Sequence, residues 1–263
     1  MKQAYETLNL TPQDDQVLLV TMNRPDVLNA MNTQLGLDLV NLFESIAMSP
    51  GLLRCIVLTG SGKGFCAGGD LKQRNGMSSQ DWTAQHVVFE RMARALLDCP
   101  LPIVGAINGA AFGGGCELAC CCDFLYAAEN AKFALPEVRL GIMPGAGGTQ
   151  TLPRAIGERR AKEHILTGKP FTAAQAELWG LVNEVMPIEA LMPRALEVAK
   201  LIASNAPLST RQVKQSVSRG LRMSLGDGLA FEIEAYNRLV ATEDRHEGVR
   251  AFNEKRKPNF QGR

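Results

Sequence analysis

The chain has 263 residues, of which 46% are hydrophobic and 21% charged, and its formal net charge at pH 7 is +1. This composition is typical of a globular protein with a sizeable core, and the balanced charge argues against nucleic acid as the main partner. Because no apolar run reaches about 18 residues, we expect no contact with a membrane interior. The polar N-terminus lacks the apolar core of a signal peptide, so we expect a cytoplasmic protein.

The first part of the chain alternates strand and helix patterns. Short apolar runs predict strands at residues 17–22, 55–59, 103–107 and 124–127. Apolar residues at helical spacing predict a helix over residues 35–46, and a second helix is expected over residues 78–98. Strands that alternate with helices favour an α/β core with right-handed crossovers, which we assign to residues 1–195.

The last part of the chain is predicted to be helical. Thr172 is a suitable N-cap for one helix, and Gly180 a suitable end for it. Thr242 is predicted to begin the last helix, and Pro258 to stop it. We therefore assign residues 196–263 to a C-terminal helical region, whose apolar faces would need partners.

Common metal and nucleotide motifs fail in this sequence. The seven cysteines are odd in number and form no C-x-x-C pair, which argues against a disulfide framework and a metal site. The stretch from Gly60 to Lys63 resembles a phosphate loop, but Gly64 stands where Ser or Thr would bind magnesium. A G-x-G-x-x-G fingerprint is absent around both Gly113 and Gly145.

The segment LPIVGAINGAAFGGGCE, residues 101–117, carries the most information. Three glycines, residues 113–115, follow a predicted strand and open a predicted helix, with Glu117 in its first turn. Glycines weaken helix interiors, so a triplet at a helix start indicates that something approaches the backbone closely. The first amides of a helix are unpaired and favour negative charge. A carboxylate beside them could move protons while the amides stabilise developing charge.

A second glycine-rich loop, residues 60–71, follows the strand predicted at 55–59. Two such loops after different strands could each offer a free amide, and a pair of amides can form an oxyanion hole. For either loop taken alone, a tight turn is the simpler interpretation.

Two glutamates are candidates for proton transfer. Glu117 follows the glycine triplet, and Glu137 lies in FALPEVRLGIMPGAGG. Both stand among apolar residues, and a desolvated carboxyl group has a raised pKa that allows proton exchange near neutral pH. They are distant in sequence, so only the fold could bring them together.

Five motifs occur in order along nearly the whole chain: NRPDVLNAMN (23–32), FCAGGDLK (65–72), INGAAFGGGCELA (107–119), FALPEVRLGIMPGAGGTQTLPR (133–154) and EDRHEGVRAFNEKRKPNF (243–260). Together they closely resemble the enoyl-CoA hydratase/isomerase, or crotonase, family, and most of all its enoyl-CoA hydratases. The resemblance implies a crotonase-like spiral core of ββα repeats and a C-terminal helical region that mediates trimerisation.

The resemblance also implies roles for individual residues. The amides of Ala67 and Gly114 would form the oxyanion hole for an acyl-CoA thioester. Glu117 would activate water, and Glu137 would deliver a proton to the α-carbon. CoA would be bound by two segments: Leu28 and Ala30 in the first, and Ala67, Gly68, Gly69, Asp70 and Leu71 in the second. No metal and no cofactor apart from the CoA of the substrate is expected.

The implied activity is the reversible hydration of a 2-enoyl-CoA to a 3-hydroxyacyl-CoA by a homotrimer or a dimer of trimers. An enoyl-CoA delta-isomerase is an alternative, but it usually needs only one base, so two acids favour hydration. A specialised hydratase is another, because FCAGGDLKQRNGMSS resembles the 3-methylglutaconyl-CoA branch. RNA binding is disfavoured by the near-zero net charge, and a non-catalytic acyl-CoA binder by the presence of both acids.

Overall fold

A computed structural model describes residues 4–263, and these residues form two β-sheets surrounded by helices. The strands are β1 Leu8–Pro12, β2 Val17–Met22, β3 Cys55–Gly60, β4 Gly64–Cys66, β5 Ile103–Ile107, β6 Ala110–Phe112, β7 Phe124–Ala128, β8 Lys132–Ala134, β9 Phe171–Thr172 and β10 Glu184–Met186. The helices are α1 Thr33–Met48, α2 Leu71–Arg74, α3 Ser79–Leu97, α4 Gly114–Ala119, α5 Gly148–Ile156, α6 Glu158–Thr167, α7 Ala173–Trp179, α8 Ile188–Ala203, α9 Pro207–Gly220, α10 Leu225–Val240 and α11 Glu243–Asn253. Among the described helices, none combines the length and apolar character needed to cross a bilayer.

The larger sheet has six strands in the order β1-β2-β3-β5-β7-β10, and all its pairs are parallel except β1 with β2. Side chains alternate between its faces: Ile56 and Leu58 pack in the core cluster that contains residues of α1 and α3, whereas Cys55 and Val57 pack with residues of α8. Both faces are therefore covered, which explains why the central strands are continuous apolar runs. The four strands predicted from the sequence are confirmed.

The smaller sheet has the order β4-β6-β8-β9. Three times the chain passes from a strand of the larger sheet to one of the smaller sheet and then into helix: at β3–β4, β5–β6 and β7–β8. This confirms the expected ββα repeat. The strands of the smaller sheet have only two or three residues, which is too short for an alternating pattern to show in the sequence.

The C-terminal helices divide into two groups. Helix α8 covers the larger sheet with Leu191, Ala195 and Ala199, so the predicted division between residues 195 and 196 falls within one packed helix. Its use as a domain boundary stays a prediction. Helices α9 and α10 pack mainly on each other and leave apolar side chains exposed, namely Val213, Val217, Leu225, Leu229, Ile233 and Tyr236. Lys214 of α9 ties this pair to the core through Asp123, at 2.8 Å.

The helix ends test the predicted caps. Thr172 forms a capping box at the start of α7, and Gly180 ends that helix with φ 88°, as predicted. Thr242 caps α11 through the amide of Arg245, also as predicted. The predicted stop at Pro258 is wrong, because α11 already ends at Asn253. The chain turns there because Lys255 adopts a left-handed conformation (φ 54°) and Glu247 binds the following segment.

All seven cysteines are free thiols, and five of them are buried. Burial raises the pKa of Cys55 and of Cys66 to about 12, so both remain protonated at neutral pH. Within residues 4–263, no three His, Cys, Asp or Glu side chains are grouped as metal ligands. The thiols therefore serve as small core side chains.

Candidate active site

A cavity of about 860 Å³ is lined by one side of α3, by the N-terminal ends of α4 and α5, and by the loops of residues 67–69 and 142–147. Ala67, Gly114, Glu117 and Glu137 all line it. The fold thus brings together four residues from three separate segments of the sequence, since Gly114 and Glu117 both belong to α4. Whether each performs its expected role depends on the geometry around it.

Glu117 lies in the first turn of α4 and is only 4% exposed. Its Oε1 accepts hydrogen bonds from the amides of Ala146 (2.7 Å) and Gly148 (2.8 Å). Burial raises the pKa of this carboxyl group, and the two amides offset part of that rise because they favour the ionised form. The carboxylate is therefore held in a fixed orientation, while Oε2 forms no hydrogen bond within the described residues.

Glu137 begins the 3-10 turn Glu137–Leu140, which follows β8. It is 8% exposed, and its buried Oε2 has no hydrogen-bond partner in the described chain. Burial raises the pKa of Glu137 to about 7, and the negative charge of Glu117 adds to the rise. Protonated and ionised forms of Glu137 are thus both available at neutral pH.

The two carboxyl groups approach neighbouring glycines. A Cβ built on Gly113 would lie 3.1 Å from Glu137 Oε1, and one built on Gly114 would lie 3.9 Å from Glu117 Oε2. Gly113 itself adopts φ 54°, and a Cβ on Gly115 would lie 2.1 Å from the carbonyl oxygen of Cys66. The glycine triplet is therefore required by a left-handed turn and by close packing.

Gly114 offers a free amide to the cavity. It is the first residue of α4, so its N–H has no carbonyl partner within the helix. No hydrogen bond from this amide occurs within residues 4–263. The expected donor in the glycine triplet is therefore available.

The second expected donor, Ala67, is not available, because its amide donates to the carbonyl oxygen of Leu28 at 3.0 Å. The free amide in this loop is that of Gly69. Met31 exchanges hydrogen bonds of 2.7 and 2.9 Å with the residues on either side of Gly69, so the amide of Gly69 points away from Met31. Gly69 lines the cavity, and its amide has no partner in the described chain. The pairing of the Ala67 amide thus argues against the sequence prediction for Ala67, and Gly69 becomes the candidate for the second donor.

The family model for enoyl-CoA hydratase/isomerase matches residues 13–263 of this chain. The chain belongs to this family. The protein YngF of Bacillus subtilis (strain 168) is 43% identical over 259 residues, covering 98% of this chain and 99% of its own. The 2,3-dehydroadipyl-CoA hydratase of Escherichia coli (strain K12) is 42% identical over 255 residues, which cover 97% of this chain and 98% of that protein. A solved structure of enoyl-CoA hydratase from Bacillus anthracis is similar with a TM-score of 0.96 at 40% identity, covering 98% of this chain and 100% of that chain.

These similarities confirm the crotonase-like fold expected from the motifs. The CoA contacts carried over from the enoyl-CoA hydratase/isomerase family stay predictions, and the structure only places the residues. Ala67, Gly68, Gly69 and Leu71 line the cavity, whereas Leu28, Ala30 and Asp70 do not. The buried carboxylate of Asp70 instead caps α2 and pairs with Arg24 at 3.0 Å, so it shapes the loop that presents Gly69.

Sequence reasoning missed two features of this family member's cavity. The amides of Ala146 and Gly148, in the loop of residues 145–148, hold Glu117. The GAGG sequence of this loop indicates close backbone packing, although it does not fit a nucleotide fingerprint. Arg74 and His86 also line the cavity. Neither stands in a pattern that would have marked it, because each reaches the cavity through packing of α2 or α3.

Proposed function

We propose that this protein catalyses the reversible addition of water to 2-enoyl-CoA thioesters, giving 3-hydroxyacyl-CoA. The observation that carries the proposal is the meeting of two buried glutamates and two free amides in one cavity. The names of the related hydratases from Escherichia coli and Bacillus anthracis support the same reaction.

The amides of Gly69 and Gly114 would bind the thioester oxygen. Attack of water on the β-carbon moves negative charge onto that oxygen, so donors that are already oriented stabilise the resulting enolate. The start of α4 adds the partial positive charge of a helix N-terminus on the Gly114 side.

The two glutamates would divide the proton transfers. Glu117, fixed by two amides through Oε1, would accept a proton from the attacking water through Oε2. Glu137, whose pKa is raised to about 7, would donate its proton to the α-carbon. The hydroxyl group joins the β-carbon and a proton joins the α-carbon, and proton exchange restores both carboxyl groups before the next turnover. Isomerisation of a double bond needs only one such group, which favours hydration.

The remaining expectations form part of the proposal. The acyl-CoA would enter along residues 67–71 and be contacted also by Leu28 and Ala30. The exposed apolar residues of α9 and α10 would be buried in a homotrimer or a dimer of trimers. The reaction needs no cofactor beyond the CoA of the substrate, and we expect it to take place in the cytoplasm.

The proposal is tested by following the ultraviolet absorbance of the conjugated thioester with 2-enoyl-CoAs of several chain lengths. We expect the absorbance to fall with at least one of them, with formation of the 3-hydroxyacyl-CoA confirmed by mass spectrometry. The 3-enoyl-CoAs are assayed in parallel. Turnover of 3-enoyl substrates with no hydration would replace the proposal with an isomerase.

The amide donors are tested at Gly114. Pro is tolerated at the first position of a helix but has no N–H, so Gly114→Pro should lower kcat about 100- to 1,000-fold. Gly114→Ala keeps the amide but its Cβ would lie 2.1 Å from Cε of the buried Met31 side chain, which must shift, so this variant is the control for crowding. Equal losses in both variants would show that crowding, rather than the missing donor, causes the effect.

A further inference from the structure

Arg74, at the end of α2, lines the same cavity as the two glutamates and is half-buried. Its Cζ would lie 3.0 Å from a Cβ built on Gly69, so the guanidinium group is next to the expected thioester site. Its Nε donates to Gln85 Oε1 at 2.8 Å, and the group stacks over the Trp82 ring at 4.4 Å from the ring centre. The side chain is therefore held in place before any ligand binds.

Its anchor is rigid as well. Gln85 is 3% exposed, and its Nε2 donates to Thr33 Oγ1 (2.9 Å) and to Gln73 Oε1 (2.8 Å). Because Oε1 of Gln85 faces Arg74, the network fixes which nitrogen of the guanidinium is occupied. Nη1 and Nη2 are left for another partner.

That partner is absent from the protein itself. Within residues 4–263, Arg74 forms no ion pair, and neither Nη1 nor Nη2 donates a hydrogen bond. Half-burial of a guanidinium without an ion pair is unfavourable and is offset only in part by the Trp82 and Phe89 rings, at 4.4 and 5.5 Å, so its place in the cavity indicates an anion that arrives with a ligand. Glu117 and Glu137 act on Arg74 only through the longer-range field. A direct pair with Glu137 would also hold that carboxyl group ionised and unfit to donate a proton.

We infer that Arg74 binds a carboxylate carried by the acyl chain, so the preferred substrates are 2-enoyl-CoAs with an acidic group on the acyl part. This inference rests on the proposed function, since it names the substrate class of the same site. Arg is suited to this task because Nη1 and Nη2 can donate parallel hydrogen bonds to the two oxygens of one carboxylate.

The test compares ligands that differ only in that group. Glutaryl-CoA and pentanoyl-CoA have five-carbon acyl chains, cannot be hydrated, and differ by a carboxylate in place of a methyl group. Calorimetry should give a Kd at least about tenfold lower for glutaryl-CoA, and Arg74→Gln should remove most of that difference. The unsaturated pair, pent-2-enedioyl-CoA and pent-2-enoyl-CoA, should show the same change in the ratio of kcat/KM.

Two further variants sharpen the test. Arg74→Lys keeps the charge but not the two-pronged geometry, so it should retain part of the discrimination. Arg91 lies on the exposed side of α3 and pairs with Glu44 of α1. Arg91→Gln should therefore keep the wild-type ratio of the two Kd values.

Both ligands of each pair carry the same CoA, so a contact of Arg74 with CoA would affect both equally, whereas a contact with the acyl carboxylate would affect only the acidic ligand. Equal losses for both ligands in Arg74→Gln would mean that Arg74 binds CoA phosphates or only adjusts Glu137, and the inference would be wrong. An unchanged ratio of the two Kd values would overturn it as well. Failure to hydrate any enoyl-CoA would count against the proposed function alone, since the binding ratio is measured independently of turnover.

Discussion

The segments that carry Glu117 and Glu137 place the same residue type at the same cavity in different surroundings. Both side chains are buried, and burial raises both pKa values. Glu117 receives two backbone amides from the loop of residues 145–148, whereas Oε2 of Glu137 receives none. The number of amide donors therefore distinguishes the two acids.

This difference indicates how one residue type can serve as a base and as an acid. Amide donors favour the ionised form, so Glu117 is prepared to accept a proton. An unpaired oxygen in apolar surroundings favours the protonated form, so Glu137 is prepared to give one. Substitution of each acid and of the loop that binds Glu117, followed by measurement of stability, tests whether this difference matters.

The largest effect is expected for Glu117→Gln, which keeps the shape of the side chain but cannot accept a proton from water. We expect kcat for hydration to fall about 1,000- to 10,000-fold. Steady-state kinetics with the best 2-enoyl-CoA measure the loss. Glu129→Gln, at an exposed position outside the cavity, is the control. A loss below tenfold for Glu117→Gln would remove the assignment of the base.

Glu137→Gln should lower kcat by about 100- to 1,000-fold. Because Glu137 must be protonated to donate and its pKa is about 7, the wild-type rate of hydration should fall as the pH rises above that value. The variant has no proton to lose there, so its residual rate should lack this alkaline decline. Rates measured between pH 5 and pH 9 with both proteins show whether the alkaline decline depends on Glu137. A variant that kept the same decline would assign it to another group.

Gly148→Ala tests the loop that orients Glu117. The added Cβ would lie 2.9 Å from Glu117 Cγ and 3.0 Å from Leu135 Cδ1, so the carboxylate must move although the amide remains. A displaced catalytic group should cost about 10- to 100-fold in kcat. Gly226→Ala, in α10, meets no such crowding and should retain wild-type kinetics. Equal kinetics for both variants would mean that the orientation of Glu117 is unimportant.

The smallest effect concerns stability. The folded state holds the Glu137 proton up to pH about 7, whereas the unfolded state releases it near the ordinary pKa of 4.5. Stability therefore declines between these values as the pH rises, and the full penalty applies above pH 7. Glu137→Gln removes the penalty and should raise Tm at pH 8 by about 5–10 °C. At pH 4 the difference should be absent, and calorimetry at both pH values measures it.

Much of the fold followed from local patterns. The central strands were predictable because both of their faces are buried, which makes them continuous apolar runs. The start of α4 was predictable because glycines weaken a helix interior, so a glycine triplet next to an apolar stretch fits the first turn of a helix. The smaller sheet was not predictable, since its strands are shorter than the period that identifies a strand.

The site was predicted in part. The sequence identified Glu117, Glu137 and Gly114 as cavity residues, because each combines chemistry with an unusual local setting. It assigned the second donor to Ala67, whereas the free amide is that of Gly69, since the directions of these amides depend on pairing with Leu28 and Met31, far away in the chain. Arg74 was missed for the same reason, because its anchor Gln85 belongs to another helix.

The free cysteines described in the fold provide an internal reporter of core opening. Cys66 ends β4 directly before Ala67, a residue that lines the cavity, and its thiol is both inaccessible and protonated. A maleimide or disulfide reagent can modify it only after the surrounding core has opened. The rate of labelling at this position, followed by mass spectrometry, therefore measures how often the core next to the cavity loop opens, without any added probe in the sequence.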